Sequence, residues 1–221
     1  MFYILILRII KEFIVSEWNT LPAKEIVEKT ADSLRENGFE VFVVSGAKEA
    51  KETALGLIPE KSEVFVMTSV TVESIGLAEA IDRSGLYESV RGKLGAMDGK
   101  TQGRKMRKLG AGPDVAIGSV HAVTQSGKLL VASLTGSQLS AYTYGAGTVV
   151  FVVSTKKIVP GLDEAWDRLV QHVVPQESVR ARTAYGLPES FATYPSKVLI
   201  LNKEVQPGRV KVILMNEDAG F

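Results

Sequence analysis

The chain has 221 residues, 45% of them hydrophobic and 23% charged, and its 26 Lys+Arg against 25 Asp+Glu leave a formal charge of +1. That is the balance of an ordinary globular domain, and it gives no reason to expect nucleic acid or an anionic membrane surface as a partner. With no cysteine and only two histidines, disulfides, thiolate zinc sites, iron–sulfur clusters, cysteine nucleophiles and histidine-rich metal centres are excluded on this chain, and a cytoplasmic location fits.

Residues 1–17 are apolar, but Arg8, Lys11 and Glu12 interrupt them. A membrane span needs about 20 mostly apolar residues. No basic residue precedes the run and no small-residue cleavage site follows it, so a signal peptide is not expected either. Leu7, Ile10 and Ile14 have the spacing of an amphipathic helix that packs on the domain or on a partner subunit, and the chain is open to a homo-oligomer.

Residues 18–221 read as a single α/β domain. A helix is predicted over residues 21–37, with Ile26, Val27, Thr30, Ala31 and Leu34 on one face and Gly38 ending it. A strand follows at 39–44, a helix at 47–58 stopped by Pro59, a strand at 63–67 and a helix over 71–83. Short, wholly apolar strands alternating with helices predict parallel strands covered on both faces. Residues 87–110 form a basic insertion, with Lys100, Arg104, Lys105, Arg107 and Lys108 in one run. It reads as a solvated helical excursion or as an electropositive flap over an anionic ligand.

The sheet resumes at 115–118. Ser126-Gly127 marks the turn of a hairpin over 120–133, and 148–153 is a β-branched, buried strand. Leu162, Ala165, Trp166, Leu169, Val170 and Val173 define the inward face of a helix closed by Pro175. Residues 197–201 and 209–214 are two late strands, predicted to pair as an antiparallel hairpin through Pro207-Gly208. The fold class is therefore a mixed, mostly parallel sheet flanked by helices.

Four segments could carry chemistry. At residues 67–77 a buried strand runs into hydroxyls and then a helix, where free N–H groups and the helix dipole suit an anion. Ser69 and Thr71 would add donors, although capping explains the same residues. Glu73 is the nearest carboxylate, in a position that the dipole explains equally well. At residues 118–124 His121 is a candidate general acid or base, in the company of Ser119 and Thr124. The segment 135–145 offers Ser137 and Gln138, and glycines that admit close backbone approach. Lys156 and Lys157 follow the strongest strand, and in open α/β sheets ligands bind outside the carboxyl ends of strands. His172, among aliphatic neighbours, reads as structural. No G-x-G-x-x-G or Walker pattern is present, so a nicotinamide dinucleotide is not expected.

In order and number, several of these segments resemble the LUD domain family, named for lactate utilisation. They are Trp18-Asn19-Thr20-Leu21-Pro22, Thr68-Ser69-Val70-Thr71-Val72-Glu73-Ser74-Ile75-Gly76 and Gly118-Ser119-Val120-His121-Ala122-Val123-Thr124. Further along come Gly136-Ser137-Gln138-Leu139, Tyr144-Gly145-Ala146, Lys157-Ile158-Val159-Pro160 and residues 202–209. The resemblance covers about 18–221. It implies a fold like that of ribose-5-phosphate isomerase, glucosamine-6-phosphate deaminase and CoA transferases. It also implies association with oxidation of L-lactate to pyruvate, in systems whose iron–sulfur oxidoreductase is a separate subunit. This chain would then be the non-redox component, with an anionic small molecule bound near Ser69, Thr71, Ser119, His121, Thr124, Ser137, Gln138 and Lys157. The alternatives are a CoA-transferase-like or sugar-phosphate-isomerase-like enzyme, with Glu73 as the carboxylate such a transferase needs, a 5-formyltetrahydrofolate cyclo-ligase-like enzyme, or a partner subunit without chemistry of its own.

Overall fold

The structure is a computed structural model that describes residues 18–221; the helix expected near the start lies outside the described residues. Helix α1 (Lys24–Glu36) buries Val27, Thr30, Ala31 and Leu34. It leads into β1 (Glu40–Val44), α2 (Ala47–Gly56) and β2 (Glu63–Val66). The helix expected over 71–83 is two pieces, α3 (Val70–Ser74) and α4 (Leu77–Arg83). Gly76 between them sits at φ 68, a left-handed conformation that ends a helix and that glycine adopts without steric cost.

The basic insertion holds β3 (Glu88–Ser89), α5 (Val90–Gly95) and α6 (Gly99–Ala111). The Asp98 carboxylate caps α6 by accepting from the Lys100 N–H at 2.9 Å. The chain then forms β4 (Val115–Gly118), the hairpin β5 (Ala122–Thr124) and β6 (Leu129–Ser133), β7 (Thr148–Ser154) and β8 (Ile158–Val159). The last elements are α7 (Leu162–Arg168), α8 (Val174–Tyr185), β9 (Lys197–Leu201) and β10 (Val210–Met215).

Six strands form one parallel sheet in the order β1-β10-β7-β4-β2-β3. Its two faces divide β7 by alternation. Val149, Phe151 and Val153 pack with α1 and the β5–β6 hairpin. Val150 and Val152 pack with α2, α3 and α4. A strand buried on both sides must be apolar at every position, which is why β7 reads as an unbroken hydrophobic run. The hairpin belongs to a second sheet, β8-β5-β6-β9, whose far face packs on Ala165 of α7 and on Leu169 just after it.

Three expectations are corrected. The late strands do not pair with each other: β10 lies between β1 and β7 in the large sheet, whereas β9 pairs antiparallel with β6 in the small one. Nor does Pro175 close the helix that precedes it. Leu169–Val173 forms a π turn, and α8 continues from it with proline in its first turn. That is the position where a missing N–H and a fixed φ do least harm. The inward face of this helix is also turned. Ala165, Arg168, Leu169, His172 and Val173 are buried, while Trp166 and Val170 are 46% and 40% exposed. Among the described residues no helix is long and apolar enough to cross a membrane.

Candidate functional site

Because β2, β4 and β7 run parallel in adjacent positions, the segments leaving their carboxyl ends meet at one edge of the sheet. There they surround a cavity of about 460 Å³. Ser69 and Thr71 enter it after β2, Ser119 and His121 after β4, Ser137 and Gln138 after β6, and Lys157 after β7. The outer wall is α8 with residues 187–195, and the C-terminal Phe221 reaches the cavity from beyond β10.

Lys157 is the centre of this arrangement. It is buried, and its ammonium donates to Thr71 Oγ1 at 2.9 Å, Ser119 Oγ at 3.1 Å and the Val120 carbonyl at 3.1 Å. All three acceptors are neutral, and among the described residues no carboxylate pairs with it. Burial pushes its proton affinity well down, and the Arg168 and Lys156 cations push it further. Lys156, also buried, differs in having a carboxylate: its Nζ lies 2.5 Å from Asp218 Oδ1.

His121 accepts the Ala132 N–H on Nδ1 at 3.0 Å. That bond places the proton of the neutral ring on Nε2. Burial first, then the Lys157 and Arg168 charges, hold its pKa at about 3, so the ring is neutral at physiological pH. Arg168 stands behind it, fully buried, with Nη1 donating to the His121 carbonyl at 2.5 Å. Among the described residues its Nε and Nη2 are buried without a partner. Burial lowers its pKa to about 10, which still leaves it charged at neutral pH. On the outer wall Arg180 grips Glu177 through two hydrogen bonds of 2.7 Å, so those two charges cancel.

Two candidates lie elsewhere. Thr124 closes the hairpin turn, its Oγ1 accepting the Lys128 N–H at 3.0 Å and bonding Ser126 Oγ at 2.9 Å. Glu73 does not line the cavity; it faces solvent and Arg91, 3.9 Å away. Helix α3 is a five-residue turn, and Ser69 Oγ already accepts the Val72 N–H at 3.4 Å. The exposed basic run of α6 contributes nothing to the cavity wall, so it is a solvated face and not a flap. Of the tyrosines at 142 and 144, the first is buried against Phe151 and the second points to solvent. Sequence reasoning missed Arg168, hidden in a helix pattern that seemed to point it outward. It also missed the Glu177–Arg180 pair, whose i,i+3 spacing on a helix was a readable signal.

The parallel sheet flanked by helices defines an α/β domain with a cavity at the carboxyl ends of its strands. The chain belongs to the LUD domain family, whose model matches residues 27–215. That membership carries the family-level association with lactate utilisation. The chain is similar in fold to a DUF162 family protein from Deinococcus radiodurans, with a TM-score of 0.52 and 15% identity over 89% of this chain and 99% of that one. No curated protein matches the chain.

Proposed function

We propose that this LUD domain binds an anionic small molecule in the strand-end cavity and serves as the non-redox component of an L-lactate-oxidising system. The observation that carries the reading is Lys157, held among neutral acceptors with no carboxylate among the described residues. Arg168 behind it is equally uncompensated. A buried cation without a counter-charge is costly, and a ligand carboxylate or phosphate would supply the missing negative charge. The volume of about 460 Å³ lies within the range of about 300–1,000 Å³ found for small-molecule pockets and well beyond the needs of a three-carbon acid. The ligand would therefore have a further body resting on Leu169, Val173, Phe191 and Phe221.

With no cysteine on this chain, electron transfer falls to an iron–sulfur partner subunit. A glutamate-based CoA transfer is not favoured, because Glu73 is outside the cavity and Glu177 is engaged by Arg180.

Calorimetric titration with L-lactate, pyruvate, phosphate monoesters and longer carboxylates tests the ligand reading. Saturable binding of one of these anions is expected, weakened at least tenfold in Lys157→Met. A cavity that takes none of them, or takes them equally well in the variant, defeats it. The pathway reading is tested separately: dye reduction by L-lactate should require the iron–sulfur partner, and a deletion strain should grow poorly on lactate.

A further inference from the structure

We propose that Ser119 and Lys157 form a serine–lysine pair that cleaves a carboxylic ester or thioester, with Ser119 Oγ as nucleophile and Lys157 Nζ as its general base. The proposal rests on the cavity being a ligand site and adds a reaction to it. The two atoms are 3.1 Å apart, within the 2.6–3.2 Å or so across which a base takes a hydroxyl proton. The base is itself oriented, by Thr71 Oγ1 at 2.9 Å and the Val120 carbonyl at 3.1 Å. A nucleophile, a base in reach and a further group fixing the base are the three parts that such chemistry needs.

The surroundings favour lysine as the base. A lysine in water carries its proton and is useless for this task. Lys157 is 3% exposed, has Arg168 and Lys156 near it, and among the described residues has no carboxylate to stabilise its ammonium. Ser119 is half-buried and faces the cavity, so a substrate carbonyl can approach it. Thr71 Oγ1 also meets Lys157, but it is buried and turned to the Ala219 carbonyl. Ser69 Oγ caps α3 and Ser137 Oγ accepts from Thr135. Among the described residues His121 is bonded to no hydroxyl; its Nδ1 takes the Ala132 N–H.

The step balances without any redox partner. Ser119 Oγ forms a bond to the carbonyl carbon as its proton moves to Lys157 Nζ, and the carbonyl electron pair moves onto oxygen. The uncompensated positive charge of Arg168 favours that oxyanion through its field. Collapse breaks the bond to the alkoxide or thiolate, which leaves with the proton from Nζ. Water then loses a proton to Nζ and attacks the acyl-serine carbonyl; collapse breaks the acyl–Oγ bond, Oγ takes the proton back from Nζ, and the acid leaves. The sum is ester plus water giving acid plus alcohol or thiol.

The test treats the purified full chain with a fluorophosphonate and maps the adduct by mass spectrometry, alongside turnover of p-nitrophenyl butyrate. One adduct on Ser119 is expected, absent in Ser119→Ala and formed at least tenfold more slowly in Lys157→Met, with melting curves reporting that both variants fold. An unmodified Ser119 in the wild-type protein overturns the pair even if the lysine variant cannot be made, and so does labelling that is indifferent to Lys157. Carboxylate binding is measured on the same preparation. Binding without an adduct removes the serine–lysine pair and keeps the ligand site; absence of both removes both.

Discussion

Lys157 Nζ and Thr71 Oγ1, 86 residues apart in sequence, meet at 2.9 Å and tie the exit of β7 to the turn after β2. Thr71 is in turn pressed by the C-terminal segment that follows β10, its Oγ1 donating to the Ala219 carbonyl at 3.4 Å. The ends of three strands, β10, β7 and β2, therefore converge on one hydroxyl. Disturbing any of the three should be felt at the cavity.

Gly220 is the sharpest place to disturb it. Its φ is +70, and a Cβ there would lie 2.2 Å from Thr71 Oγ1 and 3.0 Å from the Thr71 nitrogen. Gly220→Ala combines a left-handed backbone with a clash against a buried group. It should lower stability by about 1–3 kcal/mol and weaken ligand binding together with it. Chemical denaturation and calorimetry on the same variant check both. A variant as stable as the wild type would mean that the C-terminal segment does not hold this position.

Lys157→Met removes a buried amine and leaves a chain of similar length. Because the folded protein disfavours the ammonium, the unfolded chain binds more protons at any pH between the lowered folded value and the ordinary 10.5. Unfolding free energy from this group therefore rises with pH in that window, is complete above 10.5 and is lost as pH falls. The stability of the wild type minus that of Lys157→Met should accordingly grow from pH 7 to pH 9.5. A flat difference would show that the lysine keeps its proton in the fold. A saturating anionic ligand should flatten it as well, by holding the ammonium.

Much of the scaffold was legible because it rests on local patterning. The apolar runs that became β1, β2, β4 and β7 need burial on both faces and say so in sequence. Ser126-Gly127 marks its hairpin, with Gly127 at φ 74. What failed was long-range. The separation of β9 from β10 depends on which sheet offers an open edge, and nothing in residues 197–215 records that. The helix after β8 failed differently. Its aliphatic pattern ranks Trp166 and Val170 as core, but the site places Arg168 and His172 on the buried face instead, a choice hydrophobicity cannot reveal. Lys157 was a candidate from its place after a strand. Its burial and its three acceptors appear only when β2, β4 and β7 are brought side by side.

Among the described residues Tyr142 Oη is buried with no hydrogen-bond partner. The ring packs edge-on against Phe151 with centroids 4.8 Å apart, so packing and not polarity holds it. Burial raises its pKa far above the usual phenol value. An unsatisfied buried hydroxyl costs about 1–3 kcal/mol, and removing it leaves only a small void. Tyr142→Phe should therefore raise stability by about 1 kcal/mol and leave ligand binding unchanged. A lower melting temperature would mean that the hydroxyl has a partner, such as an ordered water.

His121 makes acid the weak side of this fold. Its pKa falls from 6.5 to about 3, through burial first and then the charges of Lys157 and Arg168. That of His172 falls to about 4, again through burial first. In both cases the unfolded chain takes up protons below pH 6.5 that the folded chain refuses. Stability from these rings is therefore full above 6.5 and declines as pH drops toward 3–4. His121→Asn isolates one of them, since the amide oxygen can accept the Ala132 N–H in place of Nδ1. At pH 7.5 the variant should lose only part of what His121→Ala loses, because alanine leaves that N–H unpaired at a cost of about 1–3 kcal/mol. As pH falls to 4.5 the wild type should lose stability faster than His121→Asn, and the gap between them should close. Urea denaturation at a series of pH values reads the gap directly. A gap that stays constant from pH 7.5 to 4.5 would mean that the ring titrates as it does in water, and that the cations behind it do not govern the cavity.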